Sequence, residues 1–206
     1  MTPHPLAALL EDAARGRFPA PDGQVELLPA AGAAMAVVGF TAHYTIAADV
    51  PVAWLRERLP EGDLLAPLSA PFLAELGRKI GRRDDGIDVV LTAAGLDGDP
   101  ALTETGAAAH PRAARAFARR EDVRVFEGDG AVVTFGRGLA GRAEVAIEVD
   151  PHARGRGVAR RALVEGRKLV GPGGVVFAQV APANAPSLRA FLRAGFEPIG
   201  SEALFL

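Results

Sequence analysis

The residues best suited to chemistry are gathered in one stretch, DPHARGRGVARRAL (150–163), where a strand-like segment gives way to a helix. The N-terminus of a helix already carries partial positive charge, so each cation there costs about 0.3–1 kcal/mol unless an anion offsets it. The pattern therefore predicts either a binding site for an anionic ligand or a solvated basic turn. Its cations are Arg154, Arg156, Arg160 and Arg161.

Two glycines, Gly155 and Gly157, interrupt these arginines. Without side chains they let the backbone approach a ligand closely, and N–H groups of the turn and of Val158 and Ala159 can point at anionic oxygens. The Rossmann fingerprint would need a third glycine where an arginine stands, and no stretch fits G-x-x-x-x-G-K-[ST]. The pattern that remains is [Arg/Gln]-x-x-Gly-x-[Gly/Ala], which begins at Arg154.

A second segment, NAPSLRAFLRAGF (184–196), fits Asn-x-x-[Ala/Ser]-x-x-x-[Tyr/Phe]-x-x-x-Gly-Phe. Its Asn184 follows Arg154 by 30 residues, with one helix and one strand expected between them. In this order and at this spacing, the two patterns resemble the GNAT family of acetyl-CoA-dependent N-acetyltransferases. The resemblance is clearest over residues 123–200 and extends back to residue 87.

The resemblance implies transfer of an acetyl group from acetyl-CoA to a primary amine of a small molecule or a peptide. In the family, the turn binds the pyrophosphate of coenzyme A and the preceding strand pairs with the pantetheine arm. Acetyl-CoA is then the co-substrate, and no metal is expected. The cofactor-binding residues carried over are Ile147, Val149, Arg154, Gly155, Arg156, Gly157, Val158, Ala159, Asn184, Ser187 and Phe191.

Acetyl transfer to an alkylamine is helped by a general base, because the free amine is mostly protonated at neutral pH. Glu144 is the first candidate, since some members of the family carry a catalytic glutamate on this strand, and Glu148 is the second. The alternative for Glu144 is an ordinary solvent-facing position without a catalytic role. A bulge in the strand would change which of the two glutamates faces the acceptor. Backbone N–H groups around Ile147–Val149 would meet the oxyanion.

Two absences bear on the mechanism. The chain has no cysteine, which argues against an acetyl-cysteine intermediate and favours direct attack in a ternary complex. Phe191 stands where the family often has a tyrosine general acid, and the one tyrosine is Tyr44. The alternative function is therefore a catalytically impaired, GNAT-like regulatory domain that binds acyl-CoA.

The composition sets the remaining expectations. With 206 residues, a formal net charge of −2 and no basic leader or bilayer-length apolar run, we expect a cytoplasmic protein without membrane or nucleic-acid partners. A nucleic-acid module using the arginines is the weakest hypothesis, because no aromatic residues interleave with them. The expected partners are acetyl-CoA and an unidentified amine acceptor, with a homodimer left open.

The strand and helix patterns predict a mixed fold of the α/β (α+β) class. The resemblance implies a GNAT-type sheet that is mixed, mostly antiparallel and twisted, flanked by helices. The resemblance divides the chain into an acetyltransferase core over 87–206 and an N-terminal extension over 1–86, and it implies that the extension shapes the acceptor side. Helices are expected at 6–18 and 111–122, a loop at 95–110 and a hairpin at Gly128–Gly130.

Overall fold

The computed structural model describes residues 4–106 and 110–206, which fall into two compact units. Unit 1 runs to Val90 and also includes Ile199–Leu206, and unit 2 is Leu91–Pro198. The expected domain boundary after residue 86 stays a prediction. The final residues, expected in the 87–206 core, group with unit 1 because their strand pairs with a strand of that unit.

Unit 1 combines helices with a mixed sheet. Strand β3 lies between β1, to which it is parallel, and β2, to which it is antiparallel. The other edge of β2 pairs antiparallel with β10. Strands β4 and β10 each have residues in both units. The elements are α1 (Pro5–Ala14), β1 (Val25–Leu28), β2 (Met35–Phe40), β3 (His43–Ala47), α2 (Val52–Arg56), α3 (Ala70–Ile80), β4 (Asp84–Ala94) and β10 (Glu197–Phe205).

Helix α3 supplies much of the core of unit 1. It begins after Ser69, whose hydroxyl accepts a hydrogen bond from the N–H of Phe72. It ends at Ile80, and Gly81 follows in the left-handed region. Its buried face, which includes Phe72 and Leu76, packs in one apolar cluster with Phe205 of β10. Burial of this face fixes the helix on the sheet.

Unit 2 contains the stretch that carries the predicted site. Its strands lie in the order β9-β8-β7-β6-β5, and only the β8–β9 pair is parallel. The elements are β5 (Thr103–Thr105), α4 (Pro111–Phe117), β6 (Glu121–Gly128), β7 (Ala131–Arg137), β8 (Ala143–Val149), α5 (Val158–Lys168), β9 (Val175–Val180) and α6 (Ala185–Arg193).

Strands β6 and β7 form the predicted hairpin. Gly128 pairs with Ala131, and the two turn residues, Asp129 and Gly130, both have positive φ (50° and 76°). A Cβ at Gly130 would lie 2.9 Å from the Cβ of Ala153, so this glycine lets the segment after β8 approach the hairpin closely.

The predicted fold class is confirmed in each unit: a mixed, mostly antiparallel sheet combined with helices. Three local expectations were wrong. Helix α1 ends at Ala14, helix α4 ends at Phe117, and the expected loop contains β5. Pairing of Glu121 with Arg137 in the β6–β7 ladder draws the end of the expected 111–122 helix into the sheet.

None of the helices formed by residues 4–106 and 110–206 combines the length and the apolar character needed to cross a bilayer.

The ring of Phe191 is a core element of unit 2. It is 4% exposed and meets Phe196 edge to face, with 4.9 Å between the ring centroids. We expect Phe191→Ala to lower the free energy of unfolding by about 3–5 kcal/mol, since it leaves a cavity. The neighbouring Leu192 is 49% exposed, so Leu192→Ala should change it by about 0.5 kcal/mol or less. Urea unfolding measures both, and equal effects would contradict this packing.

Candidate functional site

The site begins where β8 and β9 part. These parallel strands share one register pair, Glu144 with Phe177, whereas β8 pairs with β7 along all of Ala143–Val149 without a register shift. The β8–β7 ladder therefore contains no bulge, and Glu144 and Glu148 face the same side of the sheet. Beyond the shared pair, the β9 side of β8 opens toward a cleft.

The segment after β8 is a glycine-containing turn. A short 3₁₀ turn, Pro151–Ala153, follows Asp150, whose N–H donates to the carbonyl of Gly130 at 2.9 Å. Gly155 and Gly157 then both adopt a φ of 75°, which L residues rarely adopt. The hydrogen bond to the hairpin fixes the start of the turn, and the two glycines let the backbone change direction. The chain therefore enters α5 in a defined direction.

The N-terminus of α5 is open. Its N-cap is Gly157, which has no side chain to satisfy the first N–H groups, and the first turn contains no acidic residue. The orphan N–H groups and the helix dipole together favour an anion at this position.

These elements line a cleft of about 920 Å³, within the usual size range of small-molecule sites. The wall on one side is the end of β8 with the turn and α5, and on the other side it is α6. Five arginines and one carboxylate, Glu148, line it. The arginines are Arg112, Arg154, Arg160, Arg189 and Arg193.

The four arginines of the turn separate into two groups. Arg154 and Arg160 line the cleft, and each donates from Nε to a carbonyl at 3.1 Å, that of Val149 for Arg154 and that of Arg193 for Arg160. Neither Arg156 nor Arg161 is among its lining residues, and Arg161 lies instead 3.7 Å from the carboxylate of Asp129.

Glu148 lies in the cleft beside α4. Its carboxylate is 3.4 Å from Nε of Arg112, and that nitrogen is buried and makes no hydrogen bond among the described residues. Ile147 and Val149, on either side of Glu148, also line the cleft. Three consecutive residues of β8 therefore face the space where a ligand would lie.

Glu144 occupies a different environment. It is 3% exposed and does not line the cleft. Its carboxylate accepts hydrogen bonds from Nε of Arg120 (2.6 Å), Nε of Arg142 (2.8 Å) and Nε2 of Gln179 (2.6 Å). This carboxylate balances buried positive charge, an arrangement that does not favour a general base.

The electrostatics agree with this reading of Glu144. Burial raises the pKa of its carboxyl, but the charges of Arg142 and Arg120 and their hydrogen bonds outweigh burial and hold the pKa below its ordinary value. The backbone makes room for this carboxylate at Gly138, where a Cβ would lie 2.1 Å from the Glu144 carboxyl carbon.

Helix α6 brings some predicted residues to the cleft and keeps one away. Asn184 and Ser187 line it, and Asn184 Oδ1 also caps the helix by accepting from the Ser187 N–H at 3.2 Å. Phe191 is in the core and not on the cleft wall. Val158 and Ala159 lie at the start of α5 and, with Gly155 and Gly157, complete the turn side of the cleft.

Sequence reasoning missed several residues at or near the site. Arg112, Arg189 and Arg193 reach the cleft from α4 and α6, and Arg120 and Gln179 surround Glu144. Arg189 and Arg193 lie four residues apart on α6, and this spacing on one helix face was the signal that the sequence held for them. Among the described residues, no group of three His, Cys, Asp or Glu side chains is placed to hold a metal.

Comparisons with known proteins give matches at the level of structure. Family models and curated proteins give no match to this chain. Among solved structures, one similar protein is from Novosphingobium aromaticivorans, assigned as an acetyltransferase of the GNAT family, with 21% identity over 61% of this chain and a TM-score of 0.41. A GNAT-family acetyltransferase from Colwellia psychrerythraea has 12% identity over 66% of this chain and a TM-score of 0.40.

A third similar structure is a GCN5-related N-acetyltransferase from Kribbella flavida, with 19% identity over 66% of this chain and a TM-score of 0.41. The matches cover 66%, 62% and 63% of the three proteins in turn, just under two thirds of each.

Glu144→Gln tests the buried ion pairs. Removal of the charge takes a shared carboxylate away from two buried guanidinium groups, so we expect a loss of about 3–5 kcal/mol in the free energy of unfolding at neutral pH. The folded state lowers the pKa of this carboxyl, so its stabilisation is complete above the ordinary value of 4.5 and is lost as the pH falls through the folded-state pKa. The difference between wild type and variant should therefore narrow in acid.

Urea unfolding at neutral pH and at several values below pH 4.5 measures this difference. Glu104→Gln is the control, because Glu104 also pairs with an arginine, Arg124, but in solvent, and its loss should matter little. A Glu144→Gln variant with wild-type stability and no turnover would instead assign Glu144 to the chemistry.

Proposed function

We propose that the chain is an N-acetyltransferase that takes acetyl groups from acetyl-CoA and transfers them to a primary amine of a small molecule or peptide. The observation that carries this proposal is the cleft in which five arginines and the uncapped N-terminus of α5 face one carboxylate. Such an excess of positive groups suits a ligand with several phosphates.

Coenzyme A fits this distribution of groups. Its pyrophosphate would lie on the turn, where the N–H groups of Gly157, Val158 and Ala159 are directed at a ligand by the helix start. Arg154 and Arg160 flank that position. The pantetheine arm would then follow β8 past Val149 and Ile147, whose polar backbone on the β9 side faces the cleft and not a neighbouring strand.

The transfer needs few groups from the protein. The amine nitrogen attacks the thioester carbonyl carbon, a C–N bond forms, and the C–S bond breaks as the thiolate leaves. A base takes one proton from the amine, and backbone N–H groups near Ile147 would stabilise the oxyanion. Of the two candidate carboxylates, Glu148 faces the cleft and Glu144 does not, so we assign the base to Glu148.

The leaving thiolate takes its proton from solvent or from Ser187. A thiol with an ordinary pKa near 8.5 leaves readily enough without a dedicated acid. One observation favours the second candidate function, an acyl-CoA-binding regulatory domain without turnover: Phe191 has no hydroxyl and is buried away from the cleft.

Binding and turnover separate these two functions. Thermal shift with acetyl-CoA tests binding, and a ligand at 100 times its Kd should stabilise the fold by about 2.7 kcal/mol. Thiol release across a panel of amines tests transfer, and the chain itself contributes no thiol background because it has no cysteine. Binding with no release across the panel would support the regulatory domain, and no binding at millimolar acetyl-CoA would exclude both functions.

Arginine variants test the phosphate position. Arg154→Ala and Arg160→Ala should each weaken acetyl-CoA binding by about 1.5–3 kcal/mol, since each removes a charge-assisted contact, and the loss should shrink at high salt. Arg161→Ala is the matched control, because Arg161 is on the same helix but faces Asp129. Calorimetric titration measures all three, and equal losses in the three variants would place the ligand elsewhere.

Glu148→Gln tests the base. We expect kcat to fall by about 10²- to 10⁴-fold at neutral pH while acetyl-CoA still binds, because the amide cannot take the amine proton. The rate should recover in part at high pH, where the amine is already deprotonated. An unchanged neutral-pH rate would remove Glu148 from the mechanism.

A further inference from the structure

The cleft ends abruptly along β8. Its lining on this strand stops at Ile147, although the strand continues back through Ala146 to Glu144. Those three residues span roughly 10 Å, at about 3.4 Å per strand residue. Something other than the end of the strand therefore closes the fork between β8 and β9.

Three hydrogen-bonded side chains, Arg120, Glu144 and Gln179, form a ring beside the one register pair of β8 and β9. Gln179 lies on β9, two residues beyond Phe177, the partner of Glu144, so the Gln179 and Glu144 side chains lie on the same face. Gln179 Nε2 donates to Glu144 Oε1 at 2.6 Å, which ties the strands together just beyond their last pair. Arg120 completes the ring by donating to Glu144 Oε2 at 2.6 Å and to Gln179 Oε1 at 3.3 Å.

A further arginine and burial in the core restrict the movement of this ring. Arg142 donates to the same carboxylate and lies over the ring of Phe177, 5.5 Å from its centroid. The side chains of Glu144, Arg142 and Arg120 are 4%, 2% and 10% exposed. An apolar group that displaced these side chains would break hydrogen bonds between buried charged groups. Such a displacement costs free energy that an apolar contact does not return.

We propose that the Arg120–Glu144–Gln179 ring sets the acyl-chain length that the cleft accepts and restricts it to short acyl thioesters. The inference rests on the proposed function, in which the arm of coenzyme A follows β8 and the thioester lies near Ile147. An acyl chain directed from there back along β8 would meet Gln179, because the β8–β9 register puts Gln179 beside Ala146, next to Ile147. A chain of two carbons stops short of the ring, and each further methylene is forced against polar, hydrogen-bonded side chains.

Calorimetric titration of the full chain with free coenzyme A, acetyl-CoA and butyryl-CoA tests this inference. We expect the wild type to bind butyryl-CoA at least about tenfold more weakly than acetyl-CoA, a discrimination of the size that a single methylene gives in a shaped pocket. Gln179→Ala shortens the side chain that blocks the fork, and should bring butyryl-CoA to within about threefold of acetyl-CoA.

Gln179→Met is the matched variant, because methionine keeps the length of glutamine without its hydrogen bonds. It should retain the preference for acetyl-CoA, which separates blockage of the fork from loss of the hydrogen bonds. Thermal unfolding of each variant identifies any that fail to fold. In that case the wild type still tests the inference, because equal binding of the two thioesters would overturn it.

The outcomes are distinct. If coenzyme A and both thioesters fail to bind the wild type, the proposed function fails and the inference with it. If coenzyme A binds but the wild type does not distinguish the two thioesters, or Gln179→Ala leaves its preference intact, the proposed function stands and the acyl-length inference is overturned.

Discussion

The site in unit 2 depends on the separation of two neighbouring strands, β8 and β9, after a single register pair. Strand β8 is held along its whole length by β7, yet it meets β9 at one position only. A sheet that stayed closed would satisfy its backbone groups internally and leave no room for a ligand. The opening lies beside the uncapped start of α5, so polar backbone and a positive helix end face the same space.

Positive charge is distributed in this unit according to burial. Arg120 and Arg142 are sequestered and share the carboxylate of Glu144, whereas the arginines of the cleft remain at its surface with a single carboxylate between them. Buried guanidinium groups need a permanent partner, while partly solvated ones tolerate a temporary partner. The same residue type is therefore structural in one place and available to a ligand in the other.

The parts of the fold and site that are encoded locally could be predicted from the sequence. The Asp129–Gly130 hairpin and the turn at Gly155 and Gly157 each depend on neighbours within a few residues. The surroundings of Glu144 could not be predicted, because Arg120 and Gln179 lie 24 and 35 residues away in sequence. Strand alternation placed both glutamates on one face, but it carried no information about which of them would be buried.

The close approach of Gly138 to the Glu144 carboxylate couples substitutions at these two positions. Its φ of −106° lies outside the left-handed region that favours glycine, so space and not φ demands the missing side chain. A larger residue at 138 would displace the carboxylate at 144 from its place between Arg120 and Arg142, and a chain without that carboxylate has lost the group that these two arginines share. Substitutions at 138 and 144 are therefore strongly epistatic, and these positions can diverge only if the surrounding cluster diverges with them.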